Sequence, residues 1–251
     1  MQASRVEFRL RMLIMVALIA LGFWAPWIEP LGSSVSFARR ITSLEWLSLE
    51  LSRAGVMPFT TATALVIVAG ALAAGLGAVL RVWGAAYLGY GTVHNSAMEG
   101  AAMMADGPYR YLRNPLYVGG WLMTVAMALI MPPTGALFAV TLMTVFFLRL
   151  ILAEEAFLTA TLGDPYRAYV GRVPRLLPRL HPSVAEAHQK PHWLTAVLTE
   201  INPIGVFVTI AFLSWSYNHW LMLRGILISF GVSLVVRALM PQTPREPTPA
   251  A

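Results

Sequence analysis

Two polar stretches of this chain gather residues suited to chemistry. The first is Asp106-Gly107-Pro108-Tyr109-Arg110-Tyr111-Leu112-Arg113-Asn114-Pro115-Leu116-Tyr117-Val118-Gly119. The second begins at Glu154-Glu155 and runs through Leu162-Gly163-Asp164-Pro165-Tyr166-Arg167-Ala168-Tyr169 to Arg172-Val173-Pro174-Arg175. In Arg113-Asn114-Pro115, proline fits the first helical position and asparagine the N-cap before it. A helix starting there presents free N–H groups and the positive end of its dipole, which together with Arg113 make a carboxylate site. The triplet equally fits a plain reading, with Asn114 capping and Arg113 anchoring at lipid headgroups. Glu154 and Glu155 could bind an ammonium group or ribose hydroxyls. They could also mark the water boundary, paired with Arg149 or with a headgroup-facing arginine. Tyr117, Tyr166 and Tyr169 offer aromatic faces for a base or for a cation such as a sulfonium, and are also ordinary residues of an interfacial belt. Arg167, Arg172, Arg175 and Arg179 form a basic cluster that suits anionic lipid or the orientation of an anionic substrate.

The elements that must position these residues are helices in lipid. Of the 251 residues 57% are hydrophobic and 12% charged, too few charges to cover a water-soluble surface. A spanning helix needs roughly 20 apolar residues. Six segments read as spans, near 10–28, 58–80, 116–131, 134–152, 203–218 and 220–239. The first resembles a secretory signal in having Arg5, Arg9 and Arg11 before an apolar run. It is followed by Trp24, Pro26 and Trp27 rather than by a small-residue cleavage site, and reads as an uncleaved helix. The third and fourth are joined by Met131-Pro132-Pro133-Thr134-Gly135, so short a link that they form an antiparallel hairpin. The hairpin brings its outer ends, and with them both polar stretches, to one cavity.

Six spans place 14 of the 18 Lys and Arg on one side, shared by the N-terminus, the 81–115 loop, the 149–202 region and the C-terminus. By the positive-inside rule that side is the cytoplasm, and the membrane is the cell's plasma or inner membrane. Arg39, Arg40, Arg53 and Arg224 fall on the other side. The formal charge of +6 then reflects orientation and anionic headgroups, and no nucleic-acid partner is expected. Ile41, Leu44, Leu47 and Leu51 predict an outer interfacial helix over 37–53, and a second one is expected over 192–201. The proline-rich tail 241–251 is expected to be disordered. Gly70, Ala73, Ala74, Gly75, Gly77 and Ala78 are spaced for close helix packing, and Gly75-Leu76-Gly77 lies mid-span, where no nucleotide loop fits. The absence of cysteine removes disulfides and thiolate chemistry. His181, His188 and His192 are too loosely spaced to hold a metal, none of which is expected, and His94 falls in a loop.

The two polar stretches together resemble the isoprenylcysteine carboxyl methyltransferase family and its phospholipid methyltransferase relatives. The first matches that family's Gly-Pro-Tyr-Arg followed by Arg-His-Pro-x-Tyr-x-Gly. The second matches its Glu-Glu, Gly-x-x-Tyr-x-x-Tyr and Val-Pro. The resemblance covers about residues 81–180, with one departure, since Asn114 stands where the family usually has histidine. Asparagine can donate a hydrogen bond but cannot become cationic. The resemblance implies an all-α, polytopic membrane bundle of about six helices, with S-adenosylmethionine bound in a cytoplasmic pocket. Gly107, Tyr109, Arg113, Asn114, Tyr117, Glu154, Glu155, Tyr166 and Tyr169 would bind that cofactor, with Glu155 and Arg175 as the catalytic pair. A lipophilic acceptor, prenyl-cysteine-like or lipid, would enter sideways from the bilayer and be methylated on oxygen, nitrogen or sulfur, chiefly through alignment and exclusion of water. The chain divides accordingly into N-terminal spans with an interfacial helix (1–80), a methyltransferase core (81–180), a C-terminal interfacial helix and hairpin (181–240) and a tail (241–251). Two other readings stand beside this one. A membrane reductase using a nicotinamide cofactor would need a phosphate-binding basic pocket, for which Arg167 to Arg179 is the place, and a non-catalytic scaffold would bind no small cofactor at all.

Overall fold

The computed structural model describes residues 2–24, 41–94 and 106–240, with side chains omitted over 89–94. Ten α-helices follow one another in the described residues, with no strand among them: α1 (Arg5–Arg9), α2 (Arg11–Trp24), α3 (Ser43–Arg53), α4 (Phe59–His94), α5 (Pro115–Ala128), α6 (Pro133–Leu162), α7 (Asp164–Arg172), α8 (Trp193–Thr199), α9 (Ile201–Val208) and α10 (His219–Leu239). Each of the six apolar segments is helical, but not each is long enough to span. Only α4, α6 and α10 are long and apolar enough by themselves, and α8 with its continuation Ile201–Ser216 makes a fourth candidate, bent by 66°. The helices α2 and α5 have 14 residues each. That is roughly 21 Å of rise against a hydrocarbon core of about 30 Å. Against the expected six, three to four of the described helices qualify as spans by length and composition; α2 runs to the edge of the described residues, and α5 is bounded by Pro115 at its start and by a turn at its end. The end of the first predicted span, the start of the 37–53 helix and the 241–251 tail lie outside the described residues.

The second polar boundary also moves. The expected 81–115 loop begins as helix, since α4 continues through Arg81 to His94, which thus sits in a helical turn. Nothing in 81–94 breaks a helix, and the segment finds an apolar partner, Ala85 and Ala86 being buried against Ala196 of α8.

Small residues let these helices touch. A side chain on Gly77 would strike the carbonyl oxygen of Gly119 at 2.8 Å, and one on Gly119 would strike that of Gly77 at the same distance, so α4 and α5 cross backbone to backbone. Gly75 faces the ring of Phe207 in α9. Gly22 in α2 and Gly135 in α6 make a second close crossing. The core follows from these contacts: Ala74, Ala78, Met123, Ala126, Val206, Ile210 and Ile226 are buried together between α4, α5, α9, the π-turn Thr209–Leu213 and α10.

The hairpin forms as its link predicts, with Pro133 as the first residue of α6. Its turn is held by α3, whose Ser43 amide and hydroxyl both donate to the Met131 carbonyl at 2.8 Å while the Leu44 amide donates to Leu129 at 2.9 Å. A capping box of Thr42 and Glu45 starts α3, and Leu44, Leu47 and Leu51 pack on Val66, Ile67 and Leu129. Its apolar face thus covers the bundle at the turn end, opposite to the two polar stretches.

Candidate functional site

Antiparallel closure of the hairpin sets the start of α5 beside the last turns of α6, and the residues quoted from the sequence meet there. Arg113 Nη1 lies 3.3 Å from Glu155 Oε1. Arg175 grips the same carboxylate as a fork, Nη2 at 2.8 Å from Oε2 and Nε within 3.2 Å of both oxygens. Asn114 Nδ2 donates to Glu155 Oε1 at 3.3 Å and to the Arg175 carbonyl at 3.2 Å. Glu155 is therefore the hub of the cluster, joining two cations and an amide from three segments. One turn-face away, the Tyr117 hydroxyl donates to Glu154 Oε2 at 3.0 Å, and the Tyr117 ring packs edge-on against Phe147.

Two details differ from expectation. Asn114 occupies the N-cap position of α5, with Pro115 first in the helix, but its side chain makes no capping hydrogen bond. The amide instead serves Glu155, a charge-assisted acceptor that is stronger than a neutral one. Arg149 does not pair with Glu154 or Glu155. It binds Glu7 of α1, Nη2 lying 3.0 and 2.8 Å from the two carboxylate oxygens, because the N-terminal segment lies along α6 at this height, its Ala3 amide donating to the Arg149 carbonyl. That contact holds the Glu7 carboxyl down at about 2.

The second polar stretch is laid antiparallel on the first. The Arg113 amide donates to Pro174 at 2.9 Å, the Arg179 amide to Tyr111 at 3.1 Å and the Ser183 amide to Arg110 at 2.8 Å. Asp106, fully buried, ends the pairing by accepting from the amides of Ala187 and Gln189, each at 2.8 Å. Between those two donors His188 takes a left-handed conformation, φ 59°. Arg110 closes the seam with bonds to the Val184 carbonyl and to Glu186. Asp106 heads the first polar stretch and His188 reads from the sequence only as a metal candidate; no local signal pairs the two segments. An aspartate before Gly-Pro signals a turn, and only the fold shows whose amides it receives.

Gly107 adopts φ 54°, and a Cβ there would land on the ring of Tyr87, so glycine is required twice over. Tyr109 is buried; its hydroxyl reaches the Gly84 carbonyl at 3.4 Å and its own carbonyl accepts from the Tyr169 hydroxyl at 2.8 Å. Tyr166 and Tyr169, also buried, have ring centroids 5.8 Å apart and pack with Val173, Leu158, Leu162 and Val184. Burial pushes the Tyr166 hydroxyl up to about 12 and raises those of Tyr109 and Tyr169 as well, so all three are neutral at pH 7. Hydrogen bonding to Glu155 raises Arg175 above its already high value. The rest of the basic cluster disperses: Arg167 pairs with Asp164 one helical turn away at 2.6 Å, and Arg172 is exposed.

Supply and demand of hydrogen bonds in the cluster do not balance. The Arg113 side chain is 8% exposed, yet its Nε and Nη1 make no hydrogen bond of good geometry. A buried guanidinium with idle donors is costly unless something accepts from it. The first turn of α5 adds free N–H groups beside it. The residues present thus fit a carboxylate-bearing, partly cationic small molecule: Arg113 and the helix start for the anion, Glu154 and the tyrosines for the cation. Among the described residues no group of three or more histidines, cysteines or acids could hold a metal.

Residues 65–164 match the family model described as phospholipid methyltransferase. The match includes Gly107, Tyr109, Arg113, Asn114, Tyr117, Glu154 and Glu155, and ends before Tyr166, Tyr169 and Arg175. Comparison with curated proteins and with solved structures found no match to the chain.

Proposed function

We propose, on the premise that residues 65–164 are a domain of the phospholipid methyltransferase family of membrane methyltransferases, that this protein moves a methyl group from S-adenosylmethionine to a lipid-soluble acceptor at the Glu155 cluster. The observation that carries the reading is the buried Arg113 side chain with two unused donors beside a carboxylate, inside the matched region. Bound there, the cofactor would supply an electrophilic methyl on a sulfonium.

The chain's own residues do the rest. Arg113 and the first amides of α5 hold a carboxylate, and Asn114 and Arg175 fix Glu155 so that Arg113 cannot swing away to meet it differently. Glu154 accepts from Tyr117 and keeps its second oxygen for an ammonium group or a ribose hydroxyl. Gly107 and Tyr109 form the wall next to α4, and Tyr166 and Tyr169 continue that wall, Tyr169 bonding to the Tyr109 carbonyl. Glu155 has both oxygens engaged by two guanidinium groups and an amide. Its role is to orient Arg113 and Arg175, and Arg175, the more exposed of the two, faces the acceptor's anionic group. Catalysis on this reading is alignment in a water-poor cleft and needs no covalent intermediate. The site faces the cytoplasm, where the basic residues gather, and the acceptor arrives through the bilayer.

The test is to incubate the purified protein with methyl-labelled S-adenosylmethionine and a total lipid extract and to identify the labelled product. Label appearing in a lipid, and disappearing in Arg113→Ala, supports the proposal. Absence of transfer together with absence of S-adenosylhomocysteine binding by calorimetry overturns it in favour of a scaffold, and binding of a nicotinamide nucleotide instead overturns it in favour of a reductase.

A further inference from the structure

A second buried ion pair lies outside the cluster, at residues that the sequence reading left without a role. Glu200 sits at the break between α8 and α9, where the chain bends by 66°. Its side chain is wholly buried, and Arg81 of α4 meets it as a fork, Nε at 2.6 Å from Oε2 and Nη2 at 3.0 Å from Oε1. The third nitrogen of the same guanidinium, Nη1, donates to the Leu116 carbonyl at 3.2 Å. Leu116 is the second residue of α5, between Pro115 and Tyr117. Arg237 of α10 donates to the Thr199 carbonyl at 2.8 Å at the same break.

The path of the Arg81 side chain explains Gly119, the last residue of the first polar stretch. A Cβ on Gly119 would lie 2.6 Å from Arg81 Cγ, and one on Gly120 3.5 Å from Arg81 Nη1. The arginine thus crosses the face of α5 in a channel that Gly119 leaves open, with Gly120 at contact distance beside it. All three guanidinium nitrogens are satisfied, and the ion pair joins three helices at the level of the first turn of α5.

We infer that Arg81 and Glu200 form a positioning clamp that sets the first turn of α5, and with it Arg113, Asn114 and Tyr117, against the bent C-terminal helix pair. The clamp touches none of the groups that would face the methyl donor; it acts through Leu116. The inference rests on the proposed methyl-donor site and deepens it by adding a determinant at Glu200, which lies beyond the last of that site's residues in the chain.

The decisive variant is the double change Arg81→Met with Glu200→Leu, which removes both charges and leaves no orphan in the interior. Arg81→Lys retains the charge but gives up the fork and its reach to Leu116. Expected for the double variant is a rise of about tenfold in KM for S-adenosylmethionine with kcat changed less than about threefold, with Arg81→Lys between it and wild type. Amide hydrogen exchange at 116–120 becomes faster while that at 123–128 stays as it was. An unchanged KM with a lowered melting temperature would make the pair a packing element only and overturn the clamp. If wild type neither binds nor uses the donor, the proposed function fails, and the exchange arm still decides the clamp: exchange at 116–120 no faster in the double variant overturns it.

Discussion

Two carboxylates in this bundle are held by arginine forks, and they are held differently. Glu200 has one arginine, and each of that arginine's three nitrogens has an acceptor once Leu116 is counted. Glu155 has two arginines and an asparagine, and one of those arginines keeps two buried donors idle. Matched donors and acceptors close a site, whereas surplus donors keep one open for something that is not part of the chain. The contrast separates a joint between helices from a place where a ligand belongs, although both are buried, both are bidentate and both lie near the start of α5.

The comparison is broken most severely at Glu155. Replacing it by alanine leaves Arg113 and Arg175 facing one another without a counter-charge, and removal of one partner from a buried pair costs about 3–5 kcal/mol. Methyl transfer in Glu155→Ala is expected to fall at least about a hundredfold, with a lower melting temperature in detergent; retention of both would mean that the cluster is a surface ornament. Arg113→Ala comes next. It removes the idle donors but leaves Arg175 on Glu155, so calorimetry should show S-adenosylhomocysteine bound about tenfold more weakly with little change in melting, the reverse balance from Glu155→Ala.

Asn114→Ala sharpens the contrast at lower cost. Two hydrogen bonds are lost, the charge-assisted one to Glu155, about 1.5–3 kcal/mol by its class and less at a length of 3.3 Å, and a neutral one to the Arg175 carbonyl. A decrease of a few fold in donor affinity is expected, and Asn114→His should recover it. Failure of histidine to recover binding would show that this position is read by shape here and not by donation.

The smallest effect is at Glu7, a third arginine-held carboxylate, partly exposed beside Arg149. Its folded value of about 2 lies below the ordinary 4.5, so its contribution to stability is complete above about pH 4.5 and is lost as the pH falls toward 2. Glu7→Gln should melt with a weaker pH dependence over that window and the same activity at pH 7. An unaltered acid profile would show that the ion pair contributes nothing.

How much of this was legible beforehand varies with the range of the interaction. The hairpin was, because two prolines between apolar runs leave no other path. So was the meeting of Arg113 with Glu155, which follows from the hairpin, and the close helix crossing at Gly77. Hydropathy marks the third span as apolar over 116–131, whereas the helix that forms there has 14 residues and ends at Ala128. The partners of Arg149 and Asn114 were misassigned because each was matched to what lay near it in the expected topology, when Glu7 from the N-terminal segment and Glu155 from α6 were better acceptors. Arg81 was taken for the edge of a span, and Glu200 passed unremarked, since nothing local distinguishes a buried acid from an exposed one.

The sequence by itself determined the solvent, the helical class and the hairpin that gathers the two polar stretches. These depend on composition, periodicity and short links, which act within a few residues of their cause. The tertiary structure alone decided which cation each carboxylate received, which donors were left over and why Gly119 must be small. Those outcomes depend on distances of a few ångströms between segments far apart in the chain, and a carboxylate selects among several arginines only once the helices have brought them within reach.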